Sequence, residues 1–299
     1  MKNPAITAII TCISVAVLSC AQPGKRAQNT SSPAEDSVAR PDMKHRAGLE
    51  MYSLRVALKS DFPGTLKTIR EMGITEVEVP ELYGRDAAVL KKELDAAGLK
   101  PTSMLVSYEK LRDSLPAVIS AAKKLGVVYT GVAWIPHEKD FNKTDAANAV
   151  ALFNAVGEKM KAEGIHFFYH PHGYEFVADG NGTLFDTMAA QMKAGTADFQ
   201  LDVFWALRGG ADPLALLKKY PGRFVSMHLK DLKKGVATGD HTGTAPDETS
   251  VVLGTGQVDW LPILQEAERQ KIPHYFIEEE NPDALVQIPQ SLVYLQKLN

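Results

Sequence analysis

Cysteine is nearly absent: the 299 residues hold two, Cys12 and Cys20, and nothing beyond residue 20 carries a thiol. An excess of one charge is missing as well. The 33 Lys and Arg against 36 Asp and Glu leave a formal net charge of −3, which gives no electrostatic footprint for nucleic acid. The nine Tyr and three Trp are scattered and form no stacking platform. There is one continuous apolar run, Ala5 to Leu18, too short to span a bilayer comfortably, so a multi-pass membrane protein is excluded. Neither G-x-G-x-x-G nor a P-loop follows the first candidate strand, which weakens a nucleotide-binding reading. What remains, 45% hydrophobic and 23% charged, is ordinary globular composition. The length suits two average domains or one large α/β barrel.

The N-terminus reads as a leader. Lys2 supplies a positive start, the apolar run follows, and Val17-Leu18-Ser19-Cys20 resembles a bacterial lipoprotein signal. That resemblance implies cleavage before Cys20 and lipidation of its thiol; a plain secretory signal is the alternative. Residues 21–44, rich in Ser, Pro, Gln, Asn and Ala without periodicity, read as a flexible tether. The expectation is therefore an extracytoplasmic protein held to a membrane only by its lipid, with a folded domain over 45–299.

From Ala47 onward one unit recurs: a short apolar strand, a loop, an amphipathic helix, then Gly. Strands are expected at Gly48–Ser53, Glu76–Pro80, Pro101–Val106, Val127–Trp134, His166–His170, Phe199–Val203, Phe224–Lys230 and Tyr275–Glu280. Helical patterns lie near 63–72, 86–97, 112–124, 144–163, 183–194, 212–219, 258–270 and 284–298. Gly73, Gly98, Gly126 and Gly164 follow helices, and Asp212-Pro213 offers an N-cap followed by Pro at the first helical position. Eight alternations predict parallel strands with helical crossovers, hence a single-domain (β/α)₈ TIM barrel. A doubly wound sheet is the competing arrangement.

A barrel of this kind carries its chemistry at the C-terminal strand ends. Strand residues alternate between faces, so inward positions can be chosen by parity. On the seventh strand Val225, Met227 and Leu229 form an apolar face, leaving Ser226, His228 and Lys230 inward. On the sixth, Gln200, Asp202 and Phe204 face in; on the fifth, His166, Phe168, His170 and His172 share a side, with Glu175 three residues on. The eighth ends in Glu278-Glu279-Glu280, with Glu278 and Glu280 on one face. Inward carboxylates need partners, because desolvating an unpaired charge costs several kcal/mol. One divalent cation satisfies the whole Asp, Glu and His cluster. The mixed donors favour Mn²⁺, with Mg²⁺, Zn²⁺ or Co²⁺ compatible. Each residue taken alone could equally be a hydrogen-bonded or solvated side chain.

Six segments carry a resemblance across the domain. They are Gly48–Arg55, Tyr169–Phe176, Leu201–Trp205, His228–Asp231, Gly254–Trp260 and Phe276–Glu280. In this order they resemble the sugar phosphate isomerase/epimerase branch of the xylose-isomerase-like TIM-barrel superfamily. The resemblance implies one metal held at strands five to eight by His170, Asp202, His228 and Glu278. Some relatives carry Glu where this chain has His170, and many place His on the third strand where this chain has Leu105.

A chelated carbonyl and neighbouring hydroxyl acidify the adjacent C–H, so the expected chemistry is isomerisation or epimerisation of a sugar through a metal-stabilised enediolate. His172 or Glu175 on one side and Glu278 or Glu280 on the other are the acid/base candidates. Lys230 either holds a substrate oxygen or pairs with Glu278. Glu50, Tyr52, Trp134 and Trp205 are candidates for the sugar pocket, the two Trp being equally suited to packing. The same enolate could expel a β-substituent, making a keto-glycoside lyase or hydratase; a non-catalytic sugar-binding lipoprotein is a third reading. Related metal-dependent phosphodiesterases need about twice as many ligands. Export argues against a phosphorylated substrate, although Gly254-Thr255-Gly256-Gln257 could cradle phosphate before a helix; an ordinary turn is the alternative. The long Gly- and Thr-rich segment Lys233–Ser250 is a lid or subunit contact, in a possible homo-oligomer, or is disordered.

Overall fold

The computed structural model describes Met43 and residues 46–298. Cys20, the leader and the rest of the tether lie outside the described residues. Met43, assigned above to the tether, is buried in the core.

Eight parallel strands close into a barrel, which rules out the open doubly wound sheet. In chain order they are Ala47–Glu50, Glu76–Val79, Lys100–Leu105, Tyr129–Val132, His166–Tyr169, Ala197–Asp202, Phe224–Leu229 and His274–Ile277. The first pairs with the second and, closing the ring, with the eighth, in the register Ala47↔Tyr275 to Leu49↔Ile277. Outward side chains such as Leu49, Val77, Phe167, Leu201, Met227 and Tyr275 are buried against the helices. Each such burial stabilises by about 1.5–3 kcal/mol before conformational entropy is counted.

Helices start where caps place them. Asn142 and Asp145 form a capping box on Lys143–Ala162, and Thr183 with Asp186 does the same for Leu184–Gln191. Asp212 accepts from the amides of Leu214 and Ala215 at the head of Pro213–Lys219, as the Asp-Pro pair predicts. Two expectations are revised. The single helix expected over 112–124 is two, Tyr108–Asp113 and Leu115–Leu125, because Pro116 fits only the first turn of a new helix. The sixth strand stops at Asp202, whose carboxylate accepts from the Trp205 amide and caps helix Val203–Arg208. Phe204 is thus helical, not an inward strand residue.

Inside the barrel, Phe168 and Phe276 plug the middle. A Cβ on Gly131 would collide with the Phe168 ring, and one on Gly48 with Phe276 and the Glu76 carbonyl. Two glycines therefore make room for two phenyl rings, and polar groups gather at the C-terminal mouth above them.

Candidate active site

Three side chains converge at the mouth. His170 follows the fifth strand by one residue, Asp202 ends the sixth, and His228 is the penultimate residue of the seventh. All three are buried, with one donor atom of each within 4.8 Å of the others. Asp202 Oδ2 lies 3.8 Å from His170 Nε2 and 3.7 Å from His228 Nδ1. Neither Asp202 Oδ2 nor His170 Nε2 has a hydrogen-bond partner. Buried polar atoms left unpaired are costly, and two that face each other across this gap fit a cation that would accept both lone pairs. Glu278 approaches the same point, its Oε2 2.5 Å from His228 Nδ1. Three of the four residues implied by the resemblance thus meet at one point, with Glu278 adjoining them through His228.

Beneath them lies a set of which parity singled out Gln200 alone. Glu78 is fully buried; its Oε1 accepts from His228 Nε2 at 2.6 Å, and its Oε2 accepts from Ser103 Oγ at 2.5 Å and Gln200 Nε2 at 3.0 Å. Gln200 Oε1 in turn lies 2.7 Å from His170 Nδ1. Both imidazoles are therefore gripped from below on one nitrogen, which leaves His170 Nε2 open to the gap, while His228 Nδ1 meets Glu278 Oε2. The signal was present: Glu76 and Glu78 alternate on the second strand as Glu278 and Glu280 do on the eighth.

Lys230 is 1% exposed and sits 3.0 Å from both Glu278 Oε1 and Glu280 Oε1, with its ammonium 4.8 Å from the Phe204 ring centroid. It pairs with both carboxylates, so the salt-bridge alternative is the one observed. Burial pushes the Glu278 carboxyl up, but Lys230 and His228 overcome this and hold it well below the usual range. Burial, only partly offset by Lys230, raises Glu280 to about 7. Burial, reinforced by Glu278, raises Asp202 to about 7 and Glu50 well above its ordinary value. Desolvation lowers His172 to about 4.

A cavity of about 350 Å³ opens over this cluster, lined by Glu50, Tyr52, Leu105, Trp134, His172 and Glu280 among others. Both Glu50 oxygens are buried without a partner, while Tyr52 and Trp134 are 44% and 39% exposed at the rim. Two expected residues stand elsewhere. Trp205 is buried, its ring 4.8 Å from that of His172 and 5.2 Å from Lys230 Nζ, so it packs behind the site. Glu175 does not reach the cavity. The chain reverses at Gly173, φ 96°, and turns Glu175 back to accept from the Tyr169 hydroxyl and the His172 and Gly173 amides. It positions the His172 loop from outside and is not placed to exchange a proton with a bound substrate.

The glycine turn after the seventh strand is already filled. Asp231 accepts from the amides of Gly254, Gly256 and Val258 and from Trp260 Nε1, at 2.8 to 3.2 Å. The turn reading holds there. The 233–250 segment is tied to the rim: Asp231–Leu232 pairs with Ser250–Val251, Arg208 bonds Asp240, and Gly243 packs on Trp134 and Tyr174.

The Xylose isomerase-like TIM barrel profile matches residues 66–298. The chain belongs to the xylose isomerase-like TIM barrel family. Inosose dehydratase of Geobacillus kaustophilus (strain HTA426) is 23% identical over 260 residues, covering 78% of this chain and 84% of the relative. A sugar phosphate isomerase/epimerase from Parabacteroides distasonis superposes with TM-score 0.69 at 24% identity, covering 83% of this chain and 96% of that one. The structure of IolI protein with a bound zinc atom superposes with TM-score 0.63 at 14% identity, over 84% and 95%. At these identities the superpositions speak for the xylose isomerase-like fold alone.

Proposed function

We propose that this protein is a divalent-cation-dependent enzyme that removes a proton beside the carbonyl of a keto-sugar or related polyol, and that a β-substituent then leaves. The observation that carries it is the unpaired facing of His170 Nε2 and Asp202 Oδ2, with His228 beside them, at the floor of a cavity edged by acid/base groups. Elimination is preferred because the curated relative is named a dehydratase. Isomerisation or epimerisation uses the same first step, and a superposed family structure carries that name.

His170, Asp202, His228 and Glu278 would hold the cation. Bound there, it would polarise the substrate carbonyl and stabilise negative charge on its oxygen. The remaining work belongs to the cavity walls. The fifth and first strands stand opposite each other in an eight-stranded ring, so His172 and Glu50 face each other across the substrate space. His172, whose desolvation lowers it to about 4, would accept the proton, and Glu50, whose carboxyl burial raises well above its ordinary value, would donate to an oxygen. Lys230 fixes Glu278 and Glu280 in position. The identity of the metal, with Mn²⁺ first among candidates and zinc present in the IolI structure, is settled by elemental analysis.

The test is metal analysis of the purified protein, followed by incubation of metal-loaded and chelated protein with keto-sugars in D₂O. Loss of a β-substituent, or solvent deuterium beside the carbonyl, is expected only from the loaded protein and not from Asp202→Ala. Turnover indifferent to both chelator and Asp202→Ala would overturn the proposal.

A further inference from the structure

We infer that the substrate is uncharged and carries an apolar substituent, which seats in a second chamber across the rim of the second and third strands. This rests on the proposed reading of the first cavity as the sugar site. Charge gives the first half of the argument. The carboxylates of Glu50, Glu109, Glu278 and Glu280 line that cavity, and among the described residues lining it none is Lys or Arg. Two cations near that lining are committed elsewhere. Lys230 is clamped between two carboxylates, and Arg55 is bonded to Asp247 with its guanidinium 4.5 Å from the Tyr52 ring centroid. A phosphate ester, bringing about −1.5 to −2 of charge at pH 7, would meet these carboxyl groups with no Lys or Arg of the lining to receive it, the proposed cation being engaged by the sugar carbonyl. The backbone amides that could have received it, in the turn after the seventh strand, are taken by Asp231.

Shape gives the second half. The wall of the cavity away from the metal-type cluster is apolar, built from Leu105, Val106, Val132 and Trp134 with Pro80. Directly over that wall lies another chamber of about 480 Å³, which shares Pro80, Leu105, Val106 and Ser107 with the first. It runs on to Leu82, Val118, Ala117 and Ala121, between the second and third strand ends and helix Leu115–Leu125, with Glu81 and Lys110, of opposite charge, and Ser114 also on its lining. A polar sugar held over His170 and Asp202 therefore has a largely apolar compartment beside it, which shares Pro80, Leu105, Val106 and Ser107 with its own cavity. The chemistry this pair of chambers recognises is a sugar glycosidically or otherwise linked to an alkyl or aromatic group. Each methylene buried in such a chamber is worth about fourfold in affinity.

The experiment titrates the intact metal-loaded protein with methyl, butyl, hexyl and phenyl β-glucosides and with glucose 6-phosphate, by calorimetry. Affinity should climb from methyl to hexyl by about threefold per methylene, slightly below that limit, and glucose 6-phosphate should bind more weakly than methyl glucoside. Ala117→Phe places a ring in the second chamber from an exposed position on its helix and should flatten the series; Ala121→Phe is the second variant should the first not fold. Measurable methyl glucoside binding with a flat series in the unmodified protein overturns the second chamber alone. A slope that survives both variants overturns the chamber as well, and tighter binding of glucose 6-phosphate overturns the uncharged substrate. If no glucoside binds, the sugar-site reading falls with it.

Discussion

Burial and hydrogen bonding pull the Glu175 carboxyl in opposite directions, and burial prevails, raising it to about 7 against donors from Tyr169, His172 and Gly173. The unfolded chain ionises this group near 4.5, the folded chain near 7. Between those values the unfolded state releases a proton that the folded state keeps, so rising pH favours unfolding. The stability contributed is full below the lower value and gone above the upper one, a change on the order of 3 kcal/mol. Glu175→Gln cannot titrate, so its urea midpoint should fall less between pH 5 and pH 8 than that of the unmodified protein. Parallel midpoints across that range would show that Glu175 does not carry the shift. The same residue marks where sequence reasoning stops. Alternation placed His170, Asp202, His228 and Glu278 because a strand fixes which side each faces. Past the strand end the chain enters a tight turn at Gly173, where parity has no meaning, and Glu175 lands outside the barrel. Glu78 was missed for a different reason. Its role is to support two imidazoles from other strands, and a partner about 150 residues away leaves no local trace.

At the scale of elements, all eight strands were legible because each is a short apolar run ended by polar residues and followed by a helical repeat, closed by a glycine after several of the helices. What escaped were the places where a side chain ends one element and opens the next: Asp202 stops the sixth strand by capping a helix, and Pro116 divides a helix that the apolar repeat ran through. The glycine turn at 254–257 was legible as a nest of amides, but not that Asp231, some 25 residues earlier, fills it. The middle of the barrel depends on glycine for space, not conformation. Gly131 has no room for a methyl group beside Phe168, and Phe168 is itself fully buried below His170. Gly131→Ala must push that ring off its rotamer or the strand off its register. Overpacking of this kind costs about 1–3 kcal/mol. The denaturant midpoint should drop accordingly with an unchanged m-value, and an unshifted midpoint would mean that the ring has slack the packing does not show.

For the whole molecule, the site is also a stability problem. The barrel closes around a mouth in which Asp202 Oδ2 and His170 Nε2 are buried without partners, while Glu278 is held in its charged form. A fold arranged this way gains from anything that binds those atoms when folded and not when unfolded. At a free cation concentration 100 times the dissociation constant the gain is about 2.7 kcal/mol. For a domain of this size each kcal/mol moves the melting temperature by about 2–4 °C, so Mn²⁺ or Zn²⁺ should raise it by about 5–10 °C and chelator should reverse the rise. Asp202→Ala should abolish the response. Glu78→Gln separates support from ligation, because the four proposed ligands stay intact while the grip on His228 Nε2 weakens. Loss of such a support lowers metal affinity by about 10–100-fold, so this variant should need correspondingly more cation to reach the same melting temperature. A melting temperature indifferent to every divalent cation would mean that the unpaired atoms at the mouth are met by the substrate itself, and the cation would drop out of the proposed chemistry.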